Sequence, residues 1–281
     1  MKALTLCADD FGLNDQVNKG IIDLVRARRL NAVSCMVVGD RIEEGAEALL
    51  NVLQKIDFEV EIGLHLTFTE YKPISVPLGL TSDERFGSIG SLILKSHFGM
   101  VEQDEVSVEM AHQFDRFNHV FGRPPDFVDG HQHVHLLPIL RETLLRSAPE
   151  NLANGGWLRS CHQSLAGIFR TGTDITRTSI IANLAKPLKR SLAKSQIETN
   201  ELFLGVNDFS GKGYPEMMAK WLKTAADFDG CTVIMCHPGH VSEGKGSVFD
   251  PISQHRPHEF VYFASAQFLL DMESSGLSLT N

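Results

Sequence analysis

The stretch Lys2-Ala3-Leu4-Thr5-Leu6-Cys7-Ala8-Asp9-Asp10-Phe11-Gly12 is an apolar run halted by two carboxylates and a glycine. An apolar run this short reads as a buried strand over Lys2–Ala8 that delivers polar side chains at its carboxyl end. An amphipathic stretch, Asp15–Arg29, follows at once, with Val17, Ile21, Leu24 and Val25 on one face and Asn14 placed to cap it. Strand followed by helix is the first step of a βαβ series.

The alternation continues outward from there. Strands are expected at Ala32–Val38, Glu59–Phe68, Asp126–Gly130, Trp157–Arg159, Leu202–Val206 and Cys231–Cys236, and helices at Ile42–Lys55, Gln103–Phe121, Pro138–Ser147, Pro215–Asp227 and His258–Ser274. Val106, Met110, Phe114, Phe117 and Phe121 recur at steps of three and four, which marks a core-facing stripe. About seven parallel strands in a chain of 281 residues predict a single α/β domain, a complete or incomplete barrel, with a doubly wound sheet as the alternative. Two stretches break the rhythm. Tyr71–Gly99, with Pro73, Pro77, Phe86 and Phe98, has the length of a lid or stacking loop. Residues 163–200 read as an insertion whose basic part, Lys186, Lys189, Arg190 and Lys194, carries Leu184, Leu188 and Leu192 at steps of four. That part reads as a solvated surface helix, with membrane or phosphate contact through 184–194 as the alternative.

A net charge of −9 and a pI near 5.7 argue against a nucleic-acid partner and favour a neutral or basic ligand. Five cysteines without a CxxC pair indicate neither a disulfide framework nor a zinc ribbon. The opening apolar run is too short for a secretory signal, and no run reaches the roughly 20 residues of a membrane span, so the expected location is the cytoplasm. A homodimer stays open.

Chemistry gathers where strands end. Asp9 and Asp10 follow the first strand, His65 lies in the third, His131, His133 and His135 follow the fourth, Arg159 the fifth and His237 the last. In (β/α) barrels that rim is the active site. Adjacent carboxylates repel and need a cation or a proton, and joint use of Asp9 and Asp10 requires the backbone to leave the pleat there. The three histidines at alternate positions are expected to project to one side of an extended segment, which metal binding would resolve. Two imidazoles and one carboxylate make a common set for a divalent ion with open positions for water and substrate. Arg159 is a candidate to pair with Asp9 and keep it ionised, with an ordinary surface or structural salt bridge as the alternative. No serine-hydrolase elbow and no phosphate-binding P-loop occurs.

Ala8-Asp9-Asp10-Phe11-Gly12-Leu13, Val17-Asn18, Gly20-Ile21, Ser34 through Val38, Gly63-Leu64-His65-Leu66, Asp129 through His135, Leu158-Arg159, Met235-Cys236-His237-Pro238-Gly239, and Arg256 with Glu259 together resemble the YdjC-like carbohydrate deacetylases. That group contains chitooligosaccharide deacetylase and hopanoid-associated relatives. The resemblance implies a distorted (β/α) barrel and one divalent metal, magnesium or zinc, held by Asp10, His65 and His131. It implies Asp9 as base, His237 as acid in its imidazolium form, and an N-acetylated sugar as substrate. Cys7 stands where the family often has Asn, and Gly130 where it often has Ser. The rival readings are a phosphoesterase using His133 and His135 for a second metal, and a carbohydrate-binding protein without catalysis.

Overall fold

The computed structural model describes residues 1–75, 79–241 and 250–279; Pro77 of the long loop lies outside them. Among these residues eight parallel strands form one sheet: β1 Thr5–Phe11, β2 Ala32–Cys35, β3 Glu61–Leu66, β4 Phe127–Gly130, β5 Trp157–Leu158, β6 Glu198–Thr199, β7 Leu202–Leu204 and β8 Thr232–Cys236. Their order is β7-β8-β1-β2-β3-β4-β5-β6. The last strand lies beside the first and the order never reverses, so there is no switch point of the doubly wound kind. The sheet curls into a distorted barrel, open only between β6 and β7.

Asn200 crosses that opening. Its side chain accepts from the Ser160 N–H at 2.7 Å and donates to the carbonyls of Ser160 at 2.8 Å and Leu202 at 3.0 Å. One buried amide thus supplies the hydrogen bonds that a strand pair would have made.

Eight strands stand where about seven were expected, and the additional one explains itself. Glu198–Thr199 is two residues long, too short for any periodicity to register. It closes residues 163–200, which otherwise hold helices Leu165–Thr171 and Ile175–Leu192. In the second helix Leu188 and Leu192 are buried and Leu184 packs against the core, while Lys186, Arg190 and Lys194 are exposed. The leucine stripe is therefore core packing. The first strand also lies further along than expected. Lys2–Ala3 pairs with Leu277–Ser278, and β1 carries both aspartates within its length. The expected helix His258–Ser274 is two helices, Arg256–Ala264 and Ala266–Ser275, because extended Ser265 caps the second through Phe268 N–H. Asn14 does cap Asp15–Arg26, and Gln103–Phe121 has its expected bounds with its apolar stripe buried.

Replacing Asn200 by Ala should cost about 2–4 kcal/mol in a denaturant titration, because it leaves the buried Ser160 N–H and carbonyl unpaired. A loss below about 0.5 kcal/mol, within the scatter of ordinary surface changes, would mean the seam is not held this way.

Candidate active site

The backbone leaves strand geometry at Asp10, where φ is +67°, and again at Gly12, where φ is +100°. A non-glycine residue in the left-handed region costs about 1–2 kcal/mol, so something must hold it. Asn18 does so from the following helix: its Oδ1 accepts from Gly12 N–H at 2.6 Å and its Nδ2 donates to the Arg41 carbonyl at 2.8 Å. Asp9 and Asp10, both buried, are thereby sent to two different sets of partners.

Asp10 faces imidazoles. Its Oδ1 lies 2.9 Å from His131 Nδ1 and 3.4 Å from His65 Nε2, and the three ligand atoms lie within 4.8 Å of one another. Neighbouring ligands of a single ion with bonds of about 2.0–2.2 Å stand about 3–3.5 Å apart, so the set fits one divalent metal. Arg256 Nη2 donates to Asp10 Oδ2 at 2.8 Å, leaving Oδ1 for the ion, and Asp250 holds the same guanidinium. Burial opposes ionisation of Asp10, but Arg256, His131 and His65 outweigh it and hold the carboxyl well below its usual range. His65 shows the reverse. Burial pushes it down, while Asp129, Asp9 and its hydrogen bonds lift it to about 10.

Asp9 faces Arg159, which is fully buried. Nη1 and Nη2 each donate to an Asp9 oxygen at 2.7 Å, and Nη2 also reaches Cys7 Sγ at 2.9 Å and Asp129 Oδ2. Cys7, Asp9 and Asp129 also have the spacing of a metal site, but the guanidinium stands among them. Cys7 thus lies beneath the arginine that pairs with Asp9.

Asp129 is the residue sequence reasoning missed. Its Oδ1 bonds His65 Nδ1 at 2.6 Å and Ser34 Oγ at 2.5 Å, and its other oxygen forms an ion pair with Arg159. The bond to Nδ1 holds one ring proton there, so a metal that displaces the other from Nε2 finds that nitrogen as its ligand. Its neighbour Asp-Gly-His pattern was visible, but only the register that sets His65 opposite Asp129 gives it this role.

The three histidines after β4 do not project to one side. Residues His131–Leu136 form a 3₁₀ turn in which Gln132 and His133 have φ of +50° and +60°, so the alternation of an extended segment does not apply. His131 joins the metal set. His133 lies against Cys161 and the Phe203 ring, and His135 Nε2 donates to the Arg159 carbonyl at 3.1 Å. A Cβ at Gly130 would stand 3.0 Å from His135 Nδ1, so glycine suits this turn. Phe86, expected at a stacking surface, is buried against Phe68, while Phe98 is exposed.

His237 follows β8 at the same rim. Its backbone N–H donates to the buried Glu259 at 2.5 Å, and its ring packs edge-on with Phe209 at 5.3 Å. Gly239 and Gly20 touch, and a Cβ on Gly20 would come within 2.7 Å of Gly239 Cα. Burial holds the His237 imidazole below its usual range; Asp10, Asp9 and Glu259 pull upward and Arg256 downward.

Burial also lowers His135 to about 4. Its folded form resists protonation while the unfolded chain takes a proton near pH 6.5. Its contribution is thus intact above about 6.5 and is lost as pH falls toward 4, by about 3 kcal/mol in all. His135→Gln should lose about that much less stability than the parent between pH 7 and 4, measured by denaturant titration at each pH. Parallel curves for the two proteins would contradict this.

The family model described as YdjC-like protein matches residues 3–274. Chitooligosaccharide deacetylases of Escherichia fergusonii and Enterobacter sp. strain 638 are 34% and 36% identical over 138 and 140 residues, covering 49% and 50% of this chain and 52% of each relative. The chain spans about half the length of the curated relatives it matches. A solved structure of Enterococcus faecalis V583, described as a cellobiose-phosphate cleavage protein, aligns over 100% of this chain and 97% of its own, with a TM-score of 0.70 and 23% identity, which is a likeness of fold. The family match over almost the whole length identifies this chain as a member of the YdjC-like family.

Proposed function

We propose that this protein is a metal-dependent hydrolase that removes the N-acetyl group from an amino sugar, with a chito-oligosaccharide as the first choice of substrate. The observation that carries the reading is the separation of Asp9 from Asp10. One carboxylate joins two imidazoles, and the other, a residue away, is held by an arginine. The names of the chitooligosaccharide deacetylases it resembles support the same bond class.

Amide hydrolysis needs an activated water, a stabilised oxyanion and a proton for the departing nitrogen. A divalent ion at Asp10, His65 and His131 would supply Lewis acidity, lowering the pKa of water and polarising the acetyl carbonyl. Asp9 takes the proton from water, with Arg159 orienting both carboxylate oxygens. His237 gives a proton to the nitrogen. Its imidazolium form carries that proton, drawn from solvent before the C–N bond breaks, and Asp10 and Asp9 favour that form against burial. Tyr71, edge-on to His131 at 5.5 Å, and Phe209, against His237, flank the two sides of this reaction centre. The phosphoesterase reading favours more ligands or a second ion from His133 and His135, but neither joins a metal-spaced group among the described residues, and the second such group already surrounds Arg159. No helix among those residues is long and apolar enough to cross a membrane.

A panel of N-acetylated sugars and phosphate esters, assayed with magnesium and zinc in turn, tests the reading. Acetate and free amine should appear in equal amounts. Phosphate release without acetate would replace it with the phosphoesterase. Asp9→Asn should keep fold and metal while turnover falls about 10²–10⁴-fold, as for loss of a proton-transfer group; metal loss in that variant would make Asp9 a ligand instead. His237→Ala should lower kcat more than it raises KM, and a pure rise in KM would reassign it to binding.

A further inference from the structure

Glu70 lies just beyond β3, at the entrance to the long excursion 71–99, and has a left-handed backbone with φ of +67°. No glycine relieves that conformation. It is held from outside: Glu70 N–H is shared between the carbonyls of Phe86 and Gly87 at 3.2 Å each, and Phe86 N–H returns to the Tyr71 carbonyl at 2.9 Å. Phe86 is in turn buried against Phe68 at 5.5 Å. The short hairpin Thr81–Ser82 and Arg85–Phe86 thus ends in a clamp on a strained residue. Such strain persists only where the surroundings over-determine it, and it gathers at functional sites.

The strained residue aims at the metal set. Glu70 Oε2 lies 3.9 Å from His131 Nε2, on the side of the ring away from Asp10. Both atoms are buried, and neither has a hydrogen-bond partner. A donor and an acceptor left unpaired inside a protein are costly, so a facing pair of them needs an explanation. Metal binding provides one. His131 Nδ1 meets Asp10 Oδ1 at 2.9 Å, so a metal would take the Nδ1 lone pair and leave the ring's one proton on Nε2, pointing at Glu70. A shift of about 1 Å brings that contact to the 2.7–2.9 Å of a charge-assisted hydrogen bond. His65 already has the matching arrangement, with Nδ1 on Asp129 at 2.6 Å and Nε2 toward Asp10.

We infer that Glu70 is a positioning residue for the metal ligand His131, accepting its Nε2 proton when the ion is bound, and that the hairpin after β3 serves to hold Glu70 in place. The inference rests on the metal site proposed above. It gives the hairpin of Thr81–Ser82 and Arg85–Phe86 a structural purpose separate from any lid.

Zinc and, separately, magnesium titrated into metal-stripped protein by calorimetry give affinities for the parent, Glu70→Ala, Glu70→Gln and His131→Ala. Glu70→Ala should bind roughly 10–100-fold more weakly, the usual effect of losing a partner of a metal-bound histidine. Glu70→Gln should lose less, since its amide oxygen still accepts the proton, and both metal-free variants should keep the parent's Tm. Nitrogen-15 NMR adds a readout that a merely structural role would not move: the Nε2 proton of metal-loaded His131 should be protected from exchange in the parent and exposed in Glu70→Ala. Equal affinity of Glu70→Ala and parent would overturn the inference. Should Glu70→Ala unfold, Glu70→Met, which fills the same space without an oxygen acceptor, takes its place, and equal affinity of that variant and parent would overturn the inference. An undiminished affinity in His131→Ala would instead remove the metal site itself.

Discussion

The buried carboxylate of Asp129 is the constraint on which the rest of the site depends. It is fully buried, and it joins Arg159 on one oxygen to His65 and Ser34 on the other. Burial opposes its charge, yet Arg159 and His65 hold its carboxyl well below the usual range. Removing one member of such a network strands a buried charge, which typically costs about 3–5 kcal/mol. Arg159 cannot move without releasing Asp9, and His65 cannot turn without losing the tautomer that frees Nε2. One residue therefore couples the two halves of the chemistry, although it belongs to neither.

The second constraint is local. In a regular strand Asp9 and Asp10 would point to opposite faces of the sheet. The turn at Asp10, secured by Asn18, gives them neighbouring stations at the carboxyl rim of one barrel. Arg256 and Glu259, one turn apart on the helix Arg256–Ala264, then reach Asp10 and the His237 backbone respectively. A single late helix thus braces both the proposed metal ligand and the proposed acid.

Much of this was legible before any coordinates. The alternation of apolar runs with helical stripes is set by burial, so strands such as Glu61–Leu66 and the helix Gln103–Phe121 were readable within a few residues. Adjacent aspartates announced a break in the pleat because their joint use at one site required one. The histidines after β4 misled because two left-handed residues, Gln132 and His133, are neither glycine nor asparagine, and nothing local marks them. Asp129 and Glu259 stood among the quoted motifs, but what they do, like what Glu70 does, was silent for a different reason. Their roles come from strand register and from contacts between elements far apart in the chain, which periodicity does not encode.

The central claim is the division of labour between neighbours, with Asp10 on the metal and Asp9 off it. Anomalous diffraction from a zinc-soaked crystal tests it directly. A single ion should lie about 2.0–2.3 Å from Asp10 Oδ1, His65 Nε2 and His131 Nδ1, with Asp9 still paired to Arg159. An ion bonded to Asp9, or one seated among Cys7, Asp9 and Asp129 with Arg159 displaced, would contradict it.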